Sequence, residues 1–304
     1  MGNFGEFLVN RRRFLALLGG IPLFACADLP APPAISIVRG ASSFRFVDDQ
    51  GDVTRDITVF TYLPAGVEAK EAPIVFVLHG HHRTARAYRD DWAQHAEKYG
   101  FMVLAPLFDV ETWGRGEYSY ASVIGKDGEI RDASKWSYTV IERLFDAVKV
   151  ATGNESPRYL LYGFSEGGQF VHRLVLLLPE ARYARAVAAD AGWYMMPRFD
   201  INFPYGLHGS PVTEASLKRC LGRDLVLMLG AMDTDPNDPE LRKTRQALAQ
   251  GANRLERGHT FLREAKARAR EMSIALSWQV RIVGGVAHEP WKMSGAAAAV
   301  LTQP

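Results

Sequence analysis

Tyr159-Leu160-Leu161-Tyr162-Gly163-Phe164-Ser165-Glu166-Gly167-Gly168 is the stretch on which the reading of this chain turns. Tyr159 to Tyr162 is an apolar run of strand length, and beyond Gly168 the residues Phe170, Leu174 and Leu177 recur at helical spacing. Gly163-Phe164-Ser165-Glu166-Gly167 between them fits G-x-S-x-G, a strand-to-helix turn tight enough to push the serine hydroxyl out of the sheet. Such a turn leaves no room for side chains near the serine, and Gly163, Gly167 and Gly168 supply that space. A plain glycine-rich turn would also fit the letters; the strand before and the helix after favour the nucleophile. A serine hydroxyl is weakly nucleophilic at neutral pH, so it needs a base within hydrogen-bond reach and donors for the developing oxyanion.

Outward from that turn the pattern alternates. Arg55 to Leu63 has the period-2 signature of a strand, with Phe44 to Val47 as its hairpin partner. Ile74 to Leu78, Phe101 to Ala105, Tyr159 to Tyr162, Ala186 to Ala189, Leu225 to Leu229 and Leu276 to Val283 are apolar runs of buried-strand length. Helical patterns separate most of them, at about 86–99, 134–150, 167–178, 239–271 with a break near Gly251 to Gly258, and 290–301. This alternation predicts an α/β fold, a mostly parallel central sheet with helices on both faces and an antiparallel entry. In such sheets the chemistry gathers at the carboxyl ends of the strands.

Three further segments meet that expectation. His79-Gly80-His81 follows the strand Ile74 to Leu78. Gly230-Ala231-Met232-Asp233-Thr234-Asp235 follows Leu225 to Leu229; Asp233 is the candidate acid and Asp235 its close competitor. Asp238 and Glu240 read as helix-start residues, with a calcium loop as the alternative for the acidic cluster. Gly284-Gly285-Val286-Ala287-His288-Glu289-Pro290 places His288 on a flexible loop that ends where Pro290 can open a helix. The histidines His79, His81 and His82 have no carboxylate or cysteine at ligand spacing in the sequence, so no metal is expected there.

With the Ser165 elbow, the His-Gly loop, Asp233 and His288 in this order, the chain resembles the α/β-hydrolase superfamily. Its compact layout is similar to that of polyhydroxybutyrate-depolymerase and feruloyl-esterase-like carboxylesterases. The resemblance implies the chain order serine, acid, histidine, and an oxyanion hole made by the backbone N–H groups of His81 and Glu166. It also implies hydrolysis of a small-molecule or oligomeric ester through an acyl-enzyme, with no cofactor. An acyltransferase or peptidase of the same fold, or a catalytically silent exported binding protein, are the competing readings. A long insert after Ala186 to Ala189 carries Trp193, Tyr194, Phe203 and Tyr205. Together with Trp113 these either line an acyl or alcohol pocket or form a satellite core under the loop.

Composition narrows the class further. The chain has 304 residues, 47% hydrophobic and 23% charged, enough to bury a full core. The net charge of +2 comes from the arginines of the N-terminal segment, so the remainder is neutral and no nucleic-acid partner is expected. Asn10-Arg11-Arg12-Arg13-Phe14-Leu15, followed by an apolar run to Ala25, looks like a twin-arginine export signal and predicts a periplasmic or secreted protein. Residues 1–27 are therefore expected to be a signal peptide, 28–33 a Pro-rich spacer and 34–304 the catalytic domain. Ala25-Cys26-Ala27 permits cleavage, while Leu23-Phe24-Ala25-Cys26 resembles a lipobox that would make Cys26 a lipid anchor. Cys220 is the only other cysteine, so no disulfide framework is indicated.

Overall fold

A computed structural model of the chain describes residues 34–51 and 53–303. The expected signal peptide, spacer and Cys26 lie outside the described residues. The strands are β1 (Gly40–Asp48), β2 (Arg55–Leu63), β3 (Ile74–Leu78), β4 (Met102–Pro106), β5 (Tyr159–Phe164), β6 (Tyr183–Ala189), β7 (Leu225–Gly230) and β8 (Gln279–Val283). They form one sheet in the order β1-β2-β4-β3-β5-β6-β7-β8. The β1/β2 and β2/β4 pairings are antiparallel and the remainder parallel, which is the entry and sheet that the pattern predicts.

The helices are α1 (Ala85–Tyr99), α2 (Arg115–Ser119), α3 (Ser137–Thr152), α4 (Glu166–Leu177), α5 (Glu214–Leu221), α6 (Arg245–Leu248), α7 (Arg254–Glu271) and α8 (Pro290–Leu301). Side chains in a strand alternate between faces, so each central strand feeds two cores. Ile74, Phe76 and Leu78 of β3 pack with Leu144 of α3, Phe170 and Leu174 of α4 and Phe261 of α7. Val75 and Val77 point the other way, to Trp92 of α1 and Met293 and Ala297 of α8. No helix among the described residues is long and apolar enough to cross a membrane.

Three local expectations need correction. Residues 239–244 are not helical: Pro236 and Pro239 interrupt the segment, and the Asp235 and Asp238 carboxylates accept the N–H groups of Asn237 and Glu240 in tight turns. Asp238 and Glu240 therefore do not begin a helix. The last strand starts at Gln279 rather than Leu276; it is the sheet edge, and before it Trp278 is buried with its indole N–H on the Cys220 carbonyl. The sequence pattern does not indicate helices α2 and α5, which are short segments without a long apolar repeat.

Two buried histidines tie the fold to pH. The Nδ1–H of His79 donates to Gly80 O at 2.9 Å and its Nε2 accepts the Phe108 N–H at 3.1 Å; His172 does the same with Gly168 O at 2.9 Å and the Met195 N–H at 3.0 Å. An Nε2 that accepts a backbone donor has no place for a proton. Burial accordingly lowers the His79 pKa to about 3 and that of His172 well below its ordinary value. Unfolded imidazoles take up a proton near pH 6.5 while these folded ones do not, so stability is complete above that pH and is lost as pH falls below it. Each ring contributes a slope of about 1.4 kcal/mol per pH unit, so the unfolding free energy in urea is expected to drop by about 4 kcal/mol from pH 7 to pH 5. A flat profile over that range would show that the rings protonate in place.

Candidate active site

The elbow joins β5 to α4. Ser165 has φ 58° and ψ −114°, a backbone conformation that costs energy for a residue with a side chain, and its N–H is held by Ala189 O at 2.9 Å. Backbone closes in on every side. A Cβ on Gly163 would lie 2.2 Å from Gly167 O, one on Gly167 2.3 Å from Leu78 O, and one on Gly168 2.5 Å from Ala189 O. The spacing of the three glycines is thus set by contact with β3 and β6 as well as by the turn itself. Gly80, after β3, faces Ser165, its Cβ position 3.6 Å from Ser165 Cβ.

Glu166 is the first residue of α4, where backbone amides have no partner within the helix and the dipole favours negative charge. Its carboxylate is buried, takes a hydrogen bond from the Ser119 hydroxyl and lies 3.6 Å from Arg83 Nη2. The side chain is thereby turned into the fold. His81 sits in the loop beside Gly80, its ring turned outward toward Glu240.

The structure brings Ser165, His288 and Asp233 into one line. His288 Nε2 is 3.0 Å from Ser165 Oγ, and His288 Nδ1 is 2.7 Å from Asp233 Oδ2. A proton on Nδ1, donated to the carboxylate, leaves the Nε2 lone pair facing the serine hydroxyl. The Phe164 ring lies 4.6 Å from the imidazole and backs it. Asp233 is 4% exposed, and its second oxygen accepts Arg254 Nη1 at 3.1 Å; the same nitrogen reaches Asp238 at 2.6 Å. The His288 loop closes on the end of β7, where a Cβ on Gly230 would lie 2.6 Å from Val286 O. Asp235 is exposed and serves the Asn237 turn, so it does not reach the histidine.

Sequence reasoning missed one residue here. Asp190 follows β6, is fully buried, and has one oxygen on the Gly230 N–H at 2.9 Å while Oδ2 has no hydrogen-bond partner among the described residues. Its carboxylate, that of Asp233 and the His288 ring have oxygen and nitrogen atoms within 4.8 Å of one another. Burial, then the neighbouring Asp233 charge, raises its pKa well above the usual carboxylate range. The strand-end rule that selected Asp233 would have found it.

The aromatic residues divide. Tyr194 is fully buried, stacked on Phe261 and against His172, so it belongs to the core. Trp193 and Tyr205 are 3% and 8% exposed and pack on each other at 4.3 Å in a satellite cluster with Ala247. The buried Arg173 lies over the Trp193 ring at 4.2 Å, which seals its face. Trp113 and the half-buried Phe203 do border an open cleft of about 950 Å³, with Arg55, Glu117, Tyr120 and Arg131, but none of Ser165, Asp233 and His288 lines it. The absence of a carboxylate near His81 and His82 also needs correction: the fold delivers Glu240 to them.

No protein-family model matches the chain, and no curated protein does. Solved structures do. Poly(aspartic acid) hydrolase-1 from Sphingomonas sp. KT-1 superimposes with a TM-score of 0.84 at 38% identity, covering 88% of this chain and 100% of that one. LpqC, a poly(3-hydroxybutyrate) depolymerase from Bordetella parapertussis, gives 0.81 at 31% identity, covering 86% and 90%. An S-formylglutathione hydrolase from Agrobacterium tumefaciens, at 16% identity and a TM-score of 0.56 over 88% and 95% of the two chains, shares the fold alone. Identity of 31% to 38% over nearly the whole of two hydrolases, on a sheet with a serine elbow at its centre, shows that this chain belongs to the α/β-hydrolase superfamily and is an esterase-type hydrolase.

Proposed function

We propose that the protein hydrolyses carboxylic esters through a Ser165-His288-Asp233 triad and an acyl-enzyme. The observation that carries this reading is the unbroken hydrogen-bond line from Asp233 through His288 to Ser165 at the carboxyl edge of the sheet. Ser165 Oγ attacks the ester carbonyl carbon while His288 Nε2 takes its proton; Asp233 stabilises the imidazolium and Arg254 holds the Asp233 carboxylate in place. The carbonyl oxygen becomes an oxyanion that the backbone N–H groups of Glu166 and His81 receive. Collapse of this intermediate breaks the bond to the alkoxy group, which leaves as alcohol with the proton from His288. Water, deprotonated by the same ring, then releases the acid and restores Ser165.

A fluorophosphonate probe tests this reading directly. It is expected to add one phosphonyl group to Ser165, located by peptide mass spectrometry, with no adduct on the Ser165→Ala protein. A folded protein that stays unlabelled and turns over no short p-nitrophenyl ester would overturn it.

Amide hydrolysis is a second reading, favoured by the 38% identity to the poly(aspartic acid) hydrolase. Rates on poly(aspartic acid) and on hydroxyacid oligoesters, compared side by side, decide between the two. The Arg11-Arg12-Arg13 segment supports export, with release after cleavage near Ala27 or anchoring through a lipid on Cys26.

A further inference from the structure

We propose that His81, His82 and Glu240 form a binding site for a divalent transition-metal ion, zinc above all, on the rim of the serine site. His82 Nε2 is 2.9 Å and His81 Nε2 is 3.5 Å from Glu240 Oε1, and the three ligand atoms all lie within 4.8 Å of one another. Metal–nitrogen and metal–oxygen bonds of about 2.0–2.2 Å require ligand–ligand separations of roughly 3.4 Å around a tetrahedral ion and about 3 Å around an octahedral one. The 3.5 Å separation matches the tetrahedral value, the 2.9 Å separation the octahedral one, and the His81–His82 nitrogens lie within 4.8 Å, so rotation of these exposed side chains brings all three onto one ion.

An ordinary surface ion pair explains less. His82 and Glu240 alone would satisfy each other, yet the His81 imidazole converges on the same carboxylate oxygen, and the two rings lie 3.9 Å apart. Two imidazolium rings at that distance repel, which works against both serving as charged partners of Glu240. Two neutral imidazoles and one carboxylate around a shared cation remove the conflict. This donor set, two histidines and one acidic residue with the remaining positions open, suits zinc and the neighbouring first-row ions.

The ligands come from both sides of the nucleophile. His81 and His82 follow Gly80, whose Cβ position would lie 3.6 Å from Ser165 Cβ, and Glu240 lies in the turn segment that follows Asp233. A bound ion would therefore cross-link the loop bearing the His81 amide to the segment leaving β7. Its exposed side is left to water or to an oxygen ligand of a substrate, since His82 and Glu240 side chains are 68% and 37% exposed. The inference does not rest on the chemistry assigned to Ser165.

Isothermal titration of the full chain with Zn²⁺, in a buffer free of chelators, tests it, with His82→Ala and Glu240→Gln alongside. One ion per chain is expected, with affinity reduced at least tenfold in each variant, and Co²⁺ is expected to give a visible d–d absorption that both variants lose. Both substituted side chains are exposed, so circular dichroism and melting in EDTA are expected to match the parent. Absence of binding up to millimolar Zn²⁺ would overturn the proposal. So would unaltered binding in both folded variants, which would move the ion to another cluster such as Asp190, Asp233 and His288.

Discussion

Ser165→Ala is expected to lower kcat/KM for a short p-nitrophenyl ester by about 10⁴-fold or more, and His288→Ala by a similar factor, because the nucleophile and base of the proposed triad act as one unit. Asp233→Asn is expected to cost roughly 10³–10⁴-fold, since an amide at that position no longer fixes the imidazole tautomer. Asp235→Asn, whose carboxylate serves an exposed turn, is expected to stay within about twofold of the parent. Asp190→Asn separates charge from position. Asparagine imitates a protonated Asp190 and can still accept the Gly230 N–H, so the acid limb of the kcat/KM profile is expected to remain where it was. A displaced limb would show that Asp190 is ionised in the parent. Parallel kinetics on these five proteins separate the roles, and equal activity of Ser165→Ala and parent would remove the mechanism.

Gly167→Ala is expected to abolish folding, or to cost more than about 4 kcal/mol in urea unfolding. The new methyl would stand 2.3 Å from Leu78 O and 2.8 Å from His79 O, and both are backbone atoms of the sheet's centre that no rotamer change can move. Gly66→Ala makes the control, because nothing lies within 4 Å of its Cβ position, and it is expected to stay within about 0.5 kcal/mol. If the two variants unfold alike, the close approach of α4 to β3 is not what requires glycine.

Exposure separates the aromatic residues that the sequence grouped. Trp193, Tyr194, Phe203 and Tyr205 stand in one insert with similar chemistry, and nothing in their order distinguishes a wall from a core. Tyr194 enters the core because α7 brings Phe261 against it, and Trp193 is covered by Arg173 from α4. Each partner is distant in sequence, so burial at these positions is a relation between elements and has no local period to read.

By itself the sequence determined the alternation of strands and helices, the face to which each residue of the Arg55 to Leu63 strand points, and Ser165 and His288 as the candidate nucleophile and base. Those features are local: a period of two fixes a strand's faces, a tight turn between strand and helix demands glycine at set offsets, and chain order follows topology. Only the tertiary structure shows which of the two carboxylates meets His288: Asp233 does, because Arg254 of α7 and the returning His288 loop both reach it. It alone set Asp190 beside the acid and carried Glu240 to His81 and His82. Contacts of that kind arise where strand ends from distant parts of the chain converge, and their distances are fixed by sheet register and helix packing, which no single segment encodes.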